Sequence, residues 1–455
     1  MHDNLKNSWV ARTLFIIVIS ILVLVPFHGF LTTWVASNTG WLLIWRVWKE
    51  ILLILATVLA TILLFKDVEL CNKIFKSRFV QLIGFFIFWQ LFSATLMSRD
   101  LDALILGLAI QLRLFVFFII VAIATYYNRP SKKLLSFIVL IPAGLVVGFG
   151  LLQMFILPFD FLKHFGYQKN ITISPFFTID SQLDKLRIAS TLRGPNPLGV
   201  YLILPLLIVI ESWNVEASAW FRKQKPTSIK KVLFWSCVLL AGLIVLYGSH
   251  SRGAWLGFVA ALITYGMLRF SRKLRSVFIV GVLGISVVAG FGVYQFRSST
   301  FVQDVVLHDN PVEGGEVSSN QGHVEALRAG VTNIKKYPIA GCGPGCAGPA
   351  SVHNKAGVNI SENYFIQTAE ETGIIGLALL LVLFISVSVL LLCSPDPRAQ
   401  ILLATFVGIN VASLLAHSWA DDTTAYLWWG IAAMVIYSSK QVRASVNTSK
   451  STKRE

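Results

Sequence analysis

The sequence predicts an all-α polytopic membrane protein of about twelve transmembrane helices, with a large exterior loop carrying short helices, and three observations predict it. The 455 residues are 55% hydrophobic and only 14% charged, against roughly 25% charged in an ordinary soluble domain. The mean hydropathy of +0.69 comes from long uncharged runs, not from the amphipathic periods of a soluble core. Lys and Arg alternate in density between successive connections, which is how a membrane protein records its orientation. A soluble enzyme is thereby excluded. Collagen-like, disordered and disulfide-scaffold classes are excluded as well, since 32 Gly and 15 Pro show no period and five Cys are spread thinly.

A hydrocarbon layer of about 30 Å needs about 20 apolar residues per helix. Apolar runs place spans at 13–36, 51–65, 79–97, 103–127, 134–157, 198–213, 232–249, 254–270, 276–296, 373–393, 400–418 and 425–439. The first run is too long for a cleaved signal peptide and no small-residue cleavage site follows it. The chain divides into helices one to five (1–157), an exterior loop (158–197), helices six to nine (198–296), a large exterior loop expected to be catalytic (297–372), helices ten to twelve (373–439) and a disordered basic tail (440–455).

Orientation follows from the short connections. With a cytoplasmic N-terminus, the inner segments hold 24 Lys and Arg, among them Lys73, Lys76, Arg129, Lys132, Lys231, Arg269 and Arg398. The short outer ones hold four: Arg46, Lys49, Arg99 and Arg252. Both termini are therefore expected inside. The net charge of +16 is a topology signal and an attraction to anionic membrane lipids, and nucleic acid is not expected as a partner.

The two long outer segments are where chemistry is expected, because long connections without a span are usually functional. Val324, Leu327, Val331 and Ile334 recur at helical spacing while Glu325, Arg328, Lys335 and Lys336 take the other face. Pro338 ends this helix, a Gly-rich turn follows at 341–345, and a further short helix is expected from a Ser361 cap to Thr372-Gly373. Cys342 and Cys346 either bridge or stay free thiols. Asp421 and Asp422 read as a solvated turn between spans, with a cation site as the alternative.

Nucleotide-phosphate, dinucleotide and zinc-protease motifs are all missing, so ATP hydrolysis and hydride transfer are not expected. The candidates are arginines. Arg193 stands in Ser-Thr-Leu-Arg-Gly-Pro-Asn-Pro at the mouth of span six, Arg252 in Ser-Arg-Gly-Ala-Trp-Leu-Gly between spans seven and eight, and Arg328 on the loop helix. A guanidinium fork suits a diphosphate headgroup, whereas interfacial arginines also simply reach for lipid phosphates. Arg113 lies well inside span four, where an unpaired cation is costly, so it needs either a carboxylate or a bound headgroup.

Ser251–Gly257, the stretch Glu325–Gly345 and Glu362-Asn-Tyr-Phe-Ile-Gln followed by Glu371-Thr-Gly-Ile-Ile-Gly376 together resemble the O-antigen ligase and polymerase superfamily of bacterial membrane glycosyltransferases, over roughly residues 190–395. The resemblance implies a GT-C-like membrane fold and an enzyme of the bacterial inner membrane. Such an enzyme takes a glycan from a polyprenyl diphosphate carrier and joins it, outside that membrane, to a glycan or lipid acceptor, with no cofactor and no metal. Ligases of this group usually carry His before the Asn at the start of the last loop helix; this chain has Glu362 there, as polymerase-like members often do.

Glu362 is accordingly the expected general base, with His353 the alternative imidazole, and Arg252, Arg193, Arg328 and Arg113 the expected diphosphate ligands. The carrier diphosphate, paired with guanidinium groups, leaves without protonation, and one base that takes the acceptor's proton suffices for direct, inverting displacement. Burial would raise the pKa of Glu362 and nearby arginines would lower it. A transporter, such as a lipid-linked glycan flippase, is the rival class. Transporters keep their polar sites at the midplane, often between two similar halves, whereas here the long structured loops lie outside and no half-to-half similarity is evident.

Overall fold

The computed structural model describes residues 8–96, 100–179, 182–221, 229–299, 302, 319–355 and 357–438. Lys6, Arg99, the 222–228 connection with Arg222, Lys223 and Lys225, most of the loop before residue 319 and the 440–455 tail lie outside that set. Among the described residues there are sixteen α-helices. They are α1 Trp9–Leu24, α2 His28–Thr39, α3 Leu42–Arg46, α4 Trp48–Lys66, α5 Val68–Phe75, α6 Arg78–Leu96, α7 Leu101–Tyr127 and α8 Lys132–Phe155. After a hairpin come α9 Pro195–Phe221, α10 Ile229–Gly248, α11 Arg252–Arg269, α12 Arg272–Gln295, α13 Ser319–Lys336, α14 Tyr364–Leu392, α15 Arg398–Ala412 and α16 Asp422–Ser438.

The protein is an all-α polytopic membrane protein. Eight helical stretches are long and apolar enough to cross a bilayer: Trp9–Thr39, α4, α6, α7, α8, Pro195–Ala219 of α9, α10 and α14. The remaining predicted stretches are also helical, as α11, α12, α15 and α16. With its 15 residues, α15 is only about 22 Å long at 1.5 Å per residue, short of the hydrocarbon thickness. It packs instead across α11, where a Cβ on Gly257 would stand 2.5 Å from the Gly408 carbonyl oxygen, a close crossing that only small residues permit.

Helix α16 is apolar all round, as a helix enclosed by others must be, and nearly every one of its residues is buried. Trp429 meets Phe118 of α7 at 5.8 Å between ring centres, Tyr426 meets Phe117 at 4.9 Å, and Trp428 stacks on Phe406 of α15 at 4.6 Å. The indole N–H of Trp428 donates to the Leu402 carbonyl at 3.0 Å, so its burial leaves no orphan donor. This core carries the start of α16, with Asp421 and Asp422, into the protein interior at the end of the bundle where the long loops gather.

The predicted amphipathic helix is α13, and Pro338 follows it as expected. The predicted short helix and the span after it form one element, α14, bent at Gly373, whose φ of 69° and ψ of −174° suit a residue without Cβ. The bend opens the helical ladder and exposes three carbonyls to other donors. Cys342 N–H donates to the Glu370 carbonyl at 2.7 Å, Gly343 N–H to that of Glu371 at 3.0 Å, and Trp89 Nε1 to that of Thr372 at 2.8 Å. The Gly-rich turn is thus stitched to the kink, and Cys342 and Cys346 within it form a disulfide. The Glu371 carboxylate, fully buried, accepts from Gly345 N–H at 3.0 Å and from Gln111 Nε2 of α7 at 2.6 Å. That explains the Glu-Thr-Gly pattern as the clasp of the long loop before α14.

The 158–197 loop folds into a short 3₁₀ turn, Phe161–Phe165, and an antiparallel hairpin of β1 Phe177–Ile179 and β2 Gln182–Arg187. Its strands are too short for an alternation of polar and apolar residues to be legible in the sequence.

Candidate active site at the loop end of the bundle

Helix α14 begins two residues later than its candidate cap would need. Asn363, not Ser361, is the N-cap, and its Oδ1 accepts from the N–H groups of Phe365 and Ile366 at 2.9 and 3.0 Å. Its Nδ2 donates to the Leu414 carbonyl at 2.9 Å, and Tyr364 N–H donates to that of Ser413 at 3.0 Å. The cap is therefore tied to the connection between α15 and α16. Glu362, immediately before it, is held at φ 51°, a left-handed conformation that costs a non-glycine residue about 1–3 kcal/mol and persists only where its surroundings impose it.

The Glu362 carboxylate accepts a hydrogen bond from Nδ1 of His323 on α13. That bond holds the carboxyl below its ordinary pKa against the opposing effect of burial, with the charges of His323 and His417 adding to it. Of the two opposing effects considered for Glu362, the lowering one prevails, and its source is histidine rather than arginine. Glu362 and His323 line a cleft of about 170 Å3 together with Arg193, Asn196, His417 and Asp421. Burial lowers the pKa of His417 and raises that of Asp421, although Arg193 acts against the latter shift.

A second, larger cleft of about 630 Å3 adjoins the first, and Arg193, Pro349 and Ala420 line both. Its wall is apolar where Leu42, Leu43, Ile44, Leu106 and Ile110 face it, and charged where Arg46, Lys49 and Arg113 do. Arg193 stands at the junction, its side chain 49% exposed and 4.0 Å from Asp421.

Asp422 corrects the expectation of a solvated turn. Asp421 and Asp422 are 8% and 6% exposed, and Asp422 is the hub of a buried ion cluster. It pairs with Arg113, with Lys49 at 2.9 Å and with His28 at 3.7 Å. Arg113 also lies 3.6 Å from Glu50 and donates to the Ala420 carbonyl at 2.6 Å. Of the two alternatives for Arg113, the carboxylate partner is present, and the guanidinium still lines the larger cleft. Lys49, counted with the outer connections, is buried in this cluster.

The other predicted residues are dispersed. His353 ends a 3₁₀ turn, Gly348–His353, and lines the larger cleft, away from Glu362. Arg328 is exposed on α13. Arg252, the first residue of α11, lines neither cleft but neighbours Arg187, whose pKa burial and the Arg252 charge push down to about 10. Arg187 donates to the Ser249 carbonyl at 3.1 Å and to Asn196, on the first cleft, at 2.8 Å. Sequence reasoning missed Arg187, His323, His417, Lys49 and His28. For His323 the one available signal was its place on a loop helix one turn before Leu327, on the side away from Glu325 and Arg328.

Residues 237–382, from α10 into α14, match the family model described as O-antigen ligase. This segment is similar to that family over about a third of the chain. It contains Arg252, His323, Arg328, His353 and Glu362, while Arg113, Arg193, His417, Asp421 and Asp422 come to the clefts from outside it. The match, with the multi-pass helical layout, supports a membrane protein of the O-antigen ligase or polymerase type. No curated protein matches it significantly.

Proposed function

We propose that the chain is an inverting, metal-independent glycosyltransferase of the bacterial inner membrane. It moves a glycan from a polyprenyl diphosphate carrier to an acceptor hydroxyl, on lipid A core or a growing polysaccharide, at the exterior face. The observation that carries this reading is the junction of the two clefts at Arg193. One side offers apolar walls and cations suited to a prenyl diphosphate; the other offers an ionised carboxylate paired with an imidazole. Both clefts are lined from the same end of the bundle, which favours transfer at one face over carriage through the midplane. Glu362 centres the removal of the acceptor's proton, and His353 lies in the donor cleft. Arg193 and Arg113 lie along the donor path, and Arg252 and Arg328 extend the positive surface around it. Helices up to residue 157 and those of 198–296 and 373–439 form the scaffold, and 297–372 the catalytic loop.

Deletion of the gene, followed by analysis of surface glycan, tests this reading. Full-length chains retained on the lipid carrier would indicate a ligase, single unpolymerised units a polymerase, and unaltered surface glycan would refute both.

The topology is testable separately. With both termini inside, a cysteine introduced in 222–228 stays unlabelled by an impermeant maleimide in intact cells, and one in 158–197 is labelled. The reverse pattern would overturn the orientation.

Arg252→Lys keeps the charge and loses the planar fork, so transfer is expected to fall strongly with normal membrane insertion, and Arg193→Ala and Arg328→Ala to show smaller losses. Transfer by Arg252→Lys at the wild-type rate would remove bidentate phosphate recognition from that position.

A further inference from the structure

We infer that His323, rather than the carboxylate beside it, takes the proton of the acceptor hydroxyl, and that Glu362 is its positioning residue; this rests on the transfer reading above. The ring donates Nδ1–H to Glu362 Oε2, which fixes the tautomer with the lone pair on Nε2. Among the described residues Nε2 has no hydrogen-bond partner, and the ring lines the smaller cleft beside Arg193 and His417. The pair is built from rigid parts. His323 rides on α13, whose far end is clamped to α14 through Asn333 Nδ2 and Glu370 Oε1 at 3.0 Å, and Glu362 is held in its left-handed conformation by the Asn363 cap.

The chemistry favours the imidazole. A base works best when its pKa lies near the working pH, and Glu362 is held below the ordinary carboxylate range, so it is ionised but a weak acceptor. A carboxylate is well suited to hold the imidazolium that forms. In the step proposed, the acceptor oxygen bonds to the anomeric carbon as its proton passes to Nε2. The bond from that carbon to the carrier diphosphate breaks with its electron pair on the leaving oxygen. His323 then returns the proton to water, so the products are glycoside, free carrier diphosphate and one proton. The charged and titratable groups facing His323 in the cleft are Glu362, Arg193, His417 and Asp421, with Glu325 and Arg328 on its own helix.

The test uses membrane vesicles from a strain lacking this chain, which hold the accumulated labelled lipid-linked glycan and its acceptor, mixed with purified full-length variants. Wild-type protein is expected to transfer label, with kcat/KM falling along an acid limb in the imidazole range. Glu362→Gln is expected to move that limb to lower pH, because the carboxylate no longer favours the imidazolium. His323→Ala is expected to lose at least about a hundredfold and to regain activity with free imidazole, which fits the space the ring leaves. His323→Gln, which preserves size and polarity, should be as slow but not rescued. Transfer by both His323 variants within tenfold of wild type, or an acid limb confined to the carboxylate range, would overturn the inference and return the proton to Glu362. If wild-type protein transfers no label, it is the transfer reading that falls.

Discussion

Glu362→Gln is expected to slow glycan transfer by at least about a hundredfold at neutral pH, the typical contribution of a positioned acid–base group being about 10²–10⁴-fold. The amide keeps the size of the side chain and can still contact His323, but it carries no charge to orient or stabilise an imidazolium. The variant should therefore insert and fold, bind the lipid-linked donor and fail in the transfer step, whereas His353→Ala should be mild. Glu362→His, which restores the residue usual in ligases, is expected to retain part of the activity. If Glu362 were only a carboxylate near a helix start, its loss would cost about 0.3–1 kcal/mol of local stability and turnover would stay near normal. The pH dependence has a definite sign. Because the folded state lowers the pKa of Glu362, its pairing with His323 stabilises the fold above the ordinary carboxylate range and is lost as the pH falls through the lowered value. Purified variants compared for turnover and for unfolding between pH 3 and 7 check both statements.

Asp422→Leu is expected to be the most damaging single change to stability. It removes the carboxylate that Arg113, Lys49 and His28 share and leaves two buried cations with Glu50 as their remaining ion-pair partner. Stripping a partner from a buried ion pair costs about 3–5 kcal/mol, so little folded protein should reach the membrane. The cost should shrink when a cation is removed with the acid. The Arg113→Met, Asp422→Leu double variant is expected to be less damaged than the sum of its singles, a coupling well beyond the roughly 0.3–0.5 kcal/mol scatter of independent sites. Thermal unfolding of the detergent-purified variants measures this. Additive losses would mean that the cluster does not act as a unit.

The sequence made the helical layout legible because most spans repeat one simple rule, a nearly uncharged run of sufficient length, which eight helical stretches obey and α15, with 15 residues, does not. The amphipathic α13 was equally legible from Val324, Leu327, Val331 and Ile334. The start of α14 was placed two residues early because Ser361 and Asn363 are both good caps, and only the Leu414 and Ser413 carbonyls across the fold select Asn363. Asp421 and Asp422 looked like a solvated turn because their partners, Arg193 for Asp421 and Lys49 and Arg113 for Asp422, lie far upstream, and no local pattern joins them. Glu362 was visible as a candidate through the motif it shares with a known family. His323 was not, since an imidazole beside the apolar stripe of a loop helix looks like any residue at a packing edge until a carboxylate is placed against it.

The central claim is that glycan is covalently transferred at the exterior end of the bundle. The most direct measurement follows a labelled glycan in donor-loaded vesicles supplied with purified wild-type protein, scoring both its attachment and the release of carrier diphosphate. The account predicts that label becomes attached to acceptor and that carrier diphosphate is freed in equal amount, with both slowed at least about a hundredfold in Glu362→Gln. Label that crosses the bilayer while still bound to its carrier, with no diphosphate released, would contradict it and identify a lipid-linked glycan carrier instead.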